Sequence, residues 1–339
     1  MRKYEFCIGG YAGCGNVGDD AILQGYLGGL SADQRQFHTV VLSGNPRRDS
    51  RRFDVKCIGR KNLFSVTRCL MQSKFFLCGG GSLLQNATGN FSLLYYLGLL
   101  WLARLCGCKT RLMASGIGPL GGKFAQRIVI WTLRGCEQIE VRDRESERFL
   151  LEHGINREKV RLVRDPATEL ELPSASRLFF LKREMGIAID REYFCVVVRR
   201  DQSPWGSCLG KISAGVRLFL REQNLLPVFV VFDAKNDLTA TEQVCRSVGG
   251  VILRPREARD ALSVISGGCF LVSMRLHALV FASMVNVCAV GISPFDRETK
   301  LAAFCRENCM AHRSPSELTV AGLFEELVRL GKDQWDCQM

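Results

Sequence analysis

The sequence predicts an α/β protein built from two Rossmann-like, doubly wound domains that face a cleft. Short apolar strands alternate with helical segments along the whole chain. Several of these strands run directly into glycine-rich loops, and the strand and helix alternation starts again beyond residue 190. We expect an N-terminal domain over 1–175 and a C-terminal domain over 176–339. Whether the C-terminal helix packs back onto the first domain is left open.

The opening stretch, residues 6–29, is predicted to form a strand, a glycine loop and a helix. Glycine has no Cβ, so such a loop can adopt positive φ and bring backbone N–H groups close to a ligand. Asn16 or Asp19 would cap the helix. The spacing fits neither a Walker A loop nor the dinucleotide-binding fingerprint. The carboxylates of Asp19 and Asp20 suit a hydroxyl-bearing ligand, or the scaffolding of the loop, better than a bare phosphate.

The rest of the first half repeats this unit. Strands are predicted at 38–43, 75–78, 110–114, 138–141 and 160–165, and helices at 63–72, 91–106, 124–134 and 145–153. The strand at 75–78 ends in a glycine loop, and so does the strand at 110–114. In a parallel sheet the ligand lies beyond the carboxyl ends of the strands, where these loops fall. The basic residues of 46–61 are predicted to form a loop, either solvated or in contact with lipid headgroups.

The second half follows the same plan. Strands are predicted at 194–198, 227–232, 250–253, 269–272 and 287–292, and helices at 211–222, 238–247, 257–266, 273–282, 299–307 and 316–331. Two such halves across a cleft make a GT-B-like architecture, which by itself does not define a function.

Composition limits the classes of partner. The 339 residues are enough for two cores, and a net charge of +12 favours anionic partners such as phosphorylated metabolites or a membrane surface. The basic run lacks interleaved aromatic residues, so we expect no nucleic acid. Sixteen cysteines without metal-ligand spacing indicate reduced core residues of a cytoplasmic protein and no metal site. The apolar segment 91–106 contains Arg104 and is short for a membrane span, which predicts a buried or interfacial helix.

One histidine and three arginines are candidates for chemistry. His277 follows a predicted strand and could act as a general acid or base, although a core histidine is the commoner role. Arg142, Arg275 and Arg297 also follow strands, and a forked guanidinium suits phosphate or carboxylate. Their alternative role is in surface ion pairs. No G-x-S-x-G elbow and no paired-carboxylate motif is present.

Six segments together resemble the polysaccharide pyruvyl transferase family in order and spacing. They are GYAGCGNVGDDAIL, CGGGSLLQN, SGIGPL, VRDRES, RLHALVFA and VGIS. The resemblance implies a cytoplasmic, metal-independent transferase without a cofactor. It would move the enolpyruvyl unit of phosphoenolpyruvate, its donor substrate, onto a sugar of a cell-wall or exopolysaccharide precursor. The product would be a pyruvate ketal.

The resemblance also implies roles for individual residues. His277 and Arg142 would be catalytic, and Arg275 would bind substrate. The family lysine that holds phosphoenolpyruvate corresponds to Arg297 without a gap and to Lys300 with one. The first-domain loops would bind the acceptor through Tyr11, Gly13, Gly15, Asn16, Asp19, Gly80, Gly81 and Ser82.

Two other functions are open at this point. A GT-B nucleotide-sugar glycosyltransferase would need a cluster of acidic residues at a ribose site. Asp296 and Glu298 are the candidates for it, and they are only two. A non-catalytic scaffold of a polysaccharide assembly complex would keep the fold and lose the site. A lipid-linked acceptor, a peripheral contact with the inner face of the membrane and a homo-oligomer are also open.

Overall fold

The computed structural model describes residues 2–86, 89–200, 208–297 and 299–338, with side chains as far as 332. The chain divides into two compact units, Met1–Leu170 and Glu171–Met339. The sequence predicts the division a few residues later, between 175 and 176.

The first unit contains a parallel sheet with the strand order β3-β2-β1-β4-β5-β6-β7. The strands are β1 Tyr4–Gly9, β2 Thr39–Ser43, β3 Lys56–Gly59, β4 Ser73–Gly79, β5 Lys109–Ser115, β6 Gln138–Val141 and β7 Val160–Leu162. The order reverses between β1 and β4, so this pair marks the topological switch point at which doubly wound sheets bind ligands.

Helices cover both faces of this sheet. They are α1 Val17–Gly28, α2 Ala32–Phe37, α3 Pro46–Phe53, α4 Leu63–Met71, α5 Asn90–Leu105, α6 Lys123–Arg134 and α7 Arg144–Glu152. Side chains alternate along each strand, so Cys7 joins the core beneath α4, α5 and α6, whereas Ile8 joins the core beneath α1 and α3. The predicted two-sided core is therefore present in this unit.

The predicted basic loop at 46–61 is wrong, because this segment forms α3 and β3. Asn45 accepts a hydrogen bond from the N–H of Arg48, and Pro46 occupies the first turn, which together start the helix. Asp49 and Phe53, four residues apart, are buried, so α3 has an inner face despite its four arginines. β3 then pairs with β2.

The second unit contains a six-stranded parallel sheet with the order β10-β9-β8-β11-β12-β13. The strands are β8 Tyr193–Val197, β9 Leu226–Val230, β10 Val251–Leu253, β11 Leu271–Ser273, β12 Ala289–Ile292 and β13 Ala311–Arg313. The helices are α8 Ala175–Glu184, α9 Cys208–Glu222, α10 Leu238–Val248, α11 Ala258–Ser266, α12 Leu276–Met284, α13 Lys300–Glu307 and α14 Val320–Gln338. The switch point lies between β8 and β11. The C-terminal helix α14 packs on α9 of its own unit through Leu323 and Leu327.

The apolar segment 91–106 is the buried helix α5. Its inner face comprises Leu93, Tyr96, Leu97, Leu99, Leu100 and Ala103. No helix in the described part of the chain is long and apolar enough to cross a membrane. The fifteen cysteines whose side chains are described are all free, and most are buried or half-buried.

Candidate functional site

Two glycine loops meet at the switch point of the first unit, where β1 and β4 end. A Cβ on Gly10 would lie 2.4 Å from the carbonyl oxygen of Gly79, so the loops can approach this closely only because position 10 is glycine. Gly80 and Gly81 have φ values of +91° and +75°, which other residues rarely adopt. We call these loops, residues 10–16 and 80–82, the first loop set.

Substitution of Gly10 by alanine should destabilise the first unit, because the added methyl collides with backbone and not with a movable side chain. We expect the free energy of unfolding to fall by about 1 to 3 kcal/mol, measured by urea unfolding. Gly28→Ala is the matched control, since a Cβ there meets no atom within 4 Å. Equal losses in the two variants would contradict the close approach of the loops.

The acidic pair at the start of α1 divides into two roles. Asn16 caps the helix and accepts a hydrogen bond from the N–H of Gly18 at 2.9 Å. The buried Asp20 accepts from the N–H of Gly13 at 3.0 Å and pairs with Arg52 at 2.5 Å. Asp20 is therefore loop scaffolding, one of the two roles that the sequence left open. Asp19 is half-buried, and its Oδ1 would lie 2.2 Å from a Cβ on Gly81.

Tyr11 of the first loop set contacts an arginine that the sequence placed in the basic loop. The guanidinium of Arg60 lies 5.4 Å from the ring centroid of Tyr11 and 4.9 Å from that of Tyr95, and it donates to the hydroxyl of Tyr96 at 3.1 Å. Cation–π contacts of this kind hold a guanidinium in place. Arg60 is thus a fixed cation beside the loop, and the sequence gives no local signal for its aromatic neighbours.

Arg142 follows β6 and forms an ion pair with Asp165. Its side chain is only 6% exposed, so the ion pair is buried and does not lie on the surface, as the alternative role for Arg142 would have it. Asp165 also accepts from the N–H of Ala167 at 3.0 Å and so caps the turn Pro166–Glu169, which packs against α1. Within this unit Arg142 therefore ties the turn to the end of β6. Its catalytic role stays a prediction.

In the second unit, Arg275 follows β11 at the switch point. Its Nε donates to Asp237 Oδ2 at 2.9 Å, its Nη2 donates to Oδ1 at 2.5 Å, and Asp233 Oδ2 lies 3.6 Å from Nη2. The Asp237 side chain is fully buried. Burial raises the pKa of the Asp237 carboxyl, and the charge of Arg275 opposes this shift. Two carboxylates therefore face the single positive charge of Arg275.

Arg199 is the cation that the sequence analysis did not select. It comes two residues after the end of β8, on the other side of the switch point from Arg275. Burial lowers the pKa of its guanidinium, and the charge of Arg275 lowers it further. The charges of Asp237 and Asp233 act in the opposite direction, so Arg199 is the second guanidinium facing these two carboxylates. The available signal was an arginine directly after an apolar strand.

His277 lies in the first turn of α12, whose N-cap residue is Arg275. Its side chain is half-buried. The structure therefore places His277 and Arg275 in one turn at the carboxyl edge of the sheet, with Arg199 after the neighbouring strand. We call these three residues the second loop set.

The two candidates for the family lysine lie beyond β12. Arg297 is exposed and its guanidinium lies 4.9 Å from the ring centroid of Phe295, whereas Lys300 is half-buried and begins α13. Both stay candidates. Of the acidic pair weighed for a ribose site, Asp296 accepts from the N–H of Ser316 at 2.8 Å, and Glu298 lies outside the described residues.

A polar cluster near α13 was missed by the sequence analysis. His312 Nε2 lies 2.7 Å from the hydroxyl of Ser293, which lies 2.8 Å from the hydroxyl of Thr299, the cap of α13. His312 belongs to β13, a three-residue strand that the pattern did not predict. The cluster ties the end of β12 to α13.

Within the described ranges, no three His, Cys, Asp or Glu side chains group as metal ligands. A cavity of about 720 Å³ lies at the amino ends of β8 and β9, beside Glu192, Phe219 and Leu225. Since Arg275 is at the carboxyl edge, this cavity is separate from the second loop set.

Comparison with known families decides the family. The family model described as polysaccharide pyruvyl transferase matches residues 16–296, most of the chain. The chain belongs to the polysaccharide pyruvyl transferase family. The match starts at the cap of α1 and ends in the loop after β12, so it includes residues 16 and 80–82 of the first loop set and all of the second. Both loop sets are therefore considered below as parts of a transferase of this family. No curated protein sequence matches this family member.

Solved structures similar to this family member show the fold. UDP-GlcNAc 2-epimerase from Neisseria meningitidis, bound to UDP-GlcNAc, has a TM-score of 0.66 at 11% identity, covering 96% of this chain and 91% of that chain. A putative UDP-N-acetylglucosamine 2-epimerase from Listeria monocytogenes has a TM-score of 0.65 at 10% identity, covering 98% of this chain and 89% of that chain. Anabaena Alr3699/HepE in complex with UDP and glucose has a TM-score of 0.56 at 11% identity, covering 99% of each chain. The predicted GT-B-like α/β fold is confirmed.

Proposed function

We propose that this protein transfers the enolpyruvyl group of phosphoenolpyruvate to a sugar of a cell-wall or exopolysaccharide precursor, forming a pyruvate ketal and releasing phosphate. The observation that carries the proposal is the family match over residues 16–296. The proposal assigns the acceptor sugar to the first loop set and phosphoenolpyruvate to the second, and it requires no cofactor.

The cations of the second loop set support the assignment of the donor. Phosphoenolpyruvate carries a phosphate and a carboxylate, which require several cationic donors. Arg275 is held bidentately by Asp237, so Arg199 is the cation of this set that we assign to the donor. Arg297 or Lys300 would add a further cation. The N-terminal turn of α12 adds backbone N–H groups whose dipole favours an anion.

The reaction needs one proton delivered to carbon and two hydroxyl additions. Protonation of the methylene carbon of phosphoenolpyruvate converts it to a methyl group and makes C2 electrophilic. A sugar hydroxyl adds to C2 and loses its proton. Phosphate then leaves with the electrons of its C–O bond, a second hydroxyl of the same sugar adds, and its proton is released. In this scheme His277 delivers or accepts one of these protons.

The first loop set supplies the acceptor side of the proposal. A sugar offers hydroxyl donors, and Asp19 is a half-buried carboxylate in the first turn of α1, beside Gly81 of the first loop set. Backbone N–H groups of the glycine loops would complement the sugar oxygens. We therefore assign Asp19 the binding or deprotonation of an acceptor hydroxyl.

Phosphate release from phosphoenolpyruvate is the direct test. Purified protein is incubated with phosphoenolpyruvate, with and without a pool of lipid-linked and nucleotide-linked sugars, and the products are analysed by mass spectrometry. Phosphate release that depends on the sugar pool, with a ketal-linked pyruvate on one sugar, is the expected result. Transfer of a sugar from a nucleotide donor would instead establish a glycosyltransferase. Neither transfer nor binding of phosphoenolpyruvate would favour a scaffold.

Arg199 can be tested within the same assay. Replacement by methionine keeps the length of the side chain and removes the charge, so we expect the KM for phosphoenolpyruvate to rise by about tenfold or more. Arg200→Met is the matched control, because Arg200 is the adjacent exposed arginine. An unchanged KM in Arg199→Met, or an equal rise in both variants, would remove Arg199 from the donor site.

A further inference from the structure

One region of the first unit carries positive charge without any negative charge. Residues 55–136 contain eleven Lys and Arg and no Asp or Glu. This region includes α4, α5 and α6, three neighbouring helices on one face of the sheet. Exposed cations in a stretch without acidic residues attract anionic partners.

The N-terminal ends of these three helices expose aromatic side chains. Phe64, Phe91 and Phe124 each occupy the second position of their helix, and their exposed fractions are 77%, 92% and 77%. Leu63 and Leu94, in the first turns of α4 and α5, are 67% and 47% exposed. Single exposed apolar residues are ordinary, but the same position on three adjacent helices is a pattern.

All three ends lie at one edge of the sheet. The strands are parallel, and α4, α5 and α6 each follow a strand, so each helix begins at the carboxyl edge. The first loop set lies at the same edge. Exposed Lys61, Lys123 and Arg127 flank the phenylalanines, and the helix N-termini add partial positive charge.

We propose that these ends form a docking surface for an anionic lipid bilayer. We call it the tip surface: Leu63, Phe64, Phe91, Leu94 and Phe124, with the flanking cations Lys61, Lys123 and Arg127. The apolar side chains enter the headgroup and acyl boundary, and the cations pair with anionic headgroups. Docking does not depend on the proposed reaction. If that reaction holds, the first loop set receives a lipid-linked acceptor at the membrane surface.

Charge favours a bilayer over a second copy of the chain. A two-fold symmetric dimer through this face would bring the exposed Lys61, Lys123 and Arg127 of both copies together, which like charges oppose. A bilayer satisfies both features at once, since it offers an apolar layer behind negative headgroups.

Of the two segments for which the sequence left lipid contact open, the tip surface uses only Lys61 of 46–61 and Phe91 and Leu94 of 91–106. In 46–61, Arg52 pairs with Asp20, Arg48 pairs with Asp49, and Arg60 is held by tyrosines. In 91–106, the middle of α5 is buried in the core. The exposed apolar and cationic groups are instead at the helix ends.

Vesicle co-sedimentation tests the proposal with the full chain. We expect binding to phosphatidylcholine vesicles containing about one third phosphatidylglycerol, weaker binding at about 0.5 M salt than at about 0.1 M, and little binding to phosphatidylcholine alone. The variant F64S/F91S/F124S should bind about tenfold more weakly or worse. The matched control F37S/L172S/I189S removes three exposed apolar side chains elsewhere and should bind like the parent chain.

Other outcomes would overturn the proposal. Equal binding by F64S/F91S/F124S and the parent chain, or no binding to anionic vesicles, would do so. A parent chain that is dimeric by light scattering and becomes monomeric in F64S/F91S/F124S would identify a second copy as the occupant. Tighter binding to single-stranded DNA than to anionic vesicles would identify nucleic acid. These readouts do not use phosphoenolpyruvate, so failure here is distinguishable from failure of the proposed reaction.

Discussion

His277→Ala should lower kcat for ketal formation by about 10²- to 10⁴-fold while leaving the fold intact, because the variant lacks the proposed proton carrier. The side chain is half-buried in the first turn of α12, so its removal costs little packing. The KM for phosphoenolpyruvate should change much less than kcat, since the cations that bind the donor are retained. Steady-state phosphate release with saturating acceptor measures both constants.

His153→Ala is the control for this prediction. His153 is exposed and its Nδ1 contacts the carbonyl oxygen of Phe149 at 2.8 Å, in a helix end of the first unit. The His153→Ala variant should have the same kcat as the parent chain. If His277→Ala retained full kcat with an unchanged melting temperature, the proton carrier would have to be sought elsewhere, beginning with Asp19.

The alternation of strands and helices could be predicted because each βα unit has its own local pattern. The predicted strand at 138–141, in which polar and apolar residues alternate, matches β6, and glycine or arginine follows several strand ends as expected for loops. The missed elements lack this pattern. β3 has no fully buried residue and β13 is three residues long, so neither shows an apolar run. The four arginines of α3 concealed the buried pair Asp49 and Phe53.

The positions of the candidate residues could be predicted, but their partners could not. Placement of Arg142, Arg275 and His277 at the carboxyl edges follows from the strand assignments. The partner of Arg275 is Asp237, 38 residues away, and that of Asp20 is Arg52, 32 residues away. Such pairs depend on which strands become neighbours in the sheet, and a single sequence gives strand positions without strand order. Arg199 acquires its significance only from that order.

The net charge of +12 is distributed differently in the two units. At the switch point of the second unit, the carboxylates of Asp233 and Asp237 hold Arg275, which suits the proposed binding of a small anion in one orientation. On the tip surface the cations lie in a stretch with no acidic residue, as expected for a broad anionic surface. The positive charge of the chain would thus serve two proposed interactions: selective binding of phosphoenolpyruvate in the second unit and unselective binding of anionic headgroups by the tip surface.

The buried ion pair of the second unit is expected to give the largest effect on stability. Asp237→Ala should lower the free energy of unfolding by about 3 to 5 kcal/mol, because it leaves Arg275 without its bidentate partner. It also removes the acceptor of the Asp233 N–H, which bonds to Asp237 Oδ2 at 3.1 Å. Urea unfolding followed by circular dichroism measures this loss. Glu242→Ala is the control, since its pair with the exposed Arg254 should contribute less than about 1 kcal/mol.

A second variant separates the charge from the packing. D237A/R275M removes both charged partners, so no buried guanidinium of residue 275 is left without its carboxylate. We expect part of the stability lost in Asp237→Ala to return. Binding of phosphoenolpyruvate should not return with it, because the turn that holds His277 loses its anchor. A double variant as unstable as Asp237→Ala would show that Asp237 acts through packing and through the Asp233 N–H. In that case the balance of charge at the second loop set would not be what fixes Arg275.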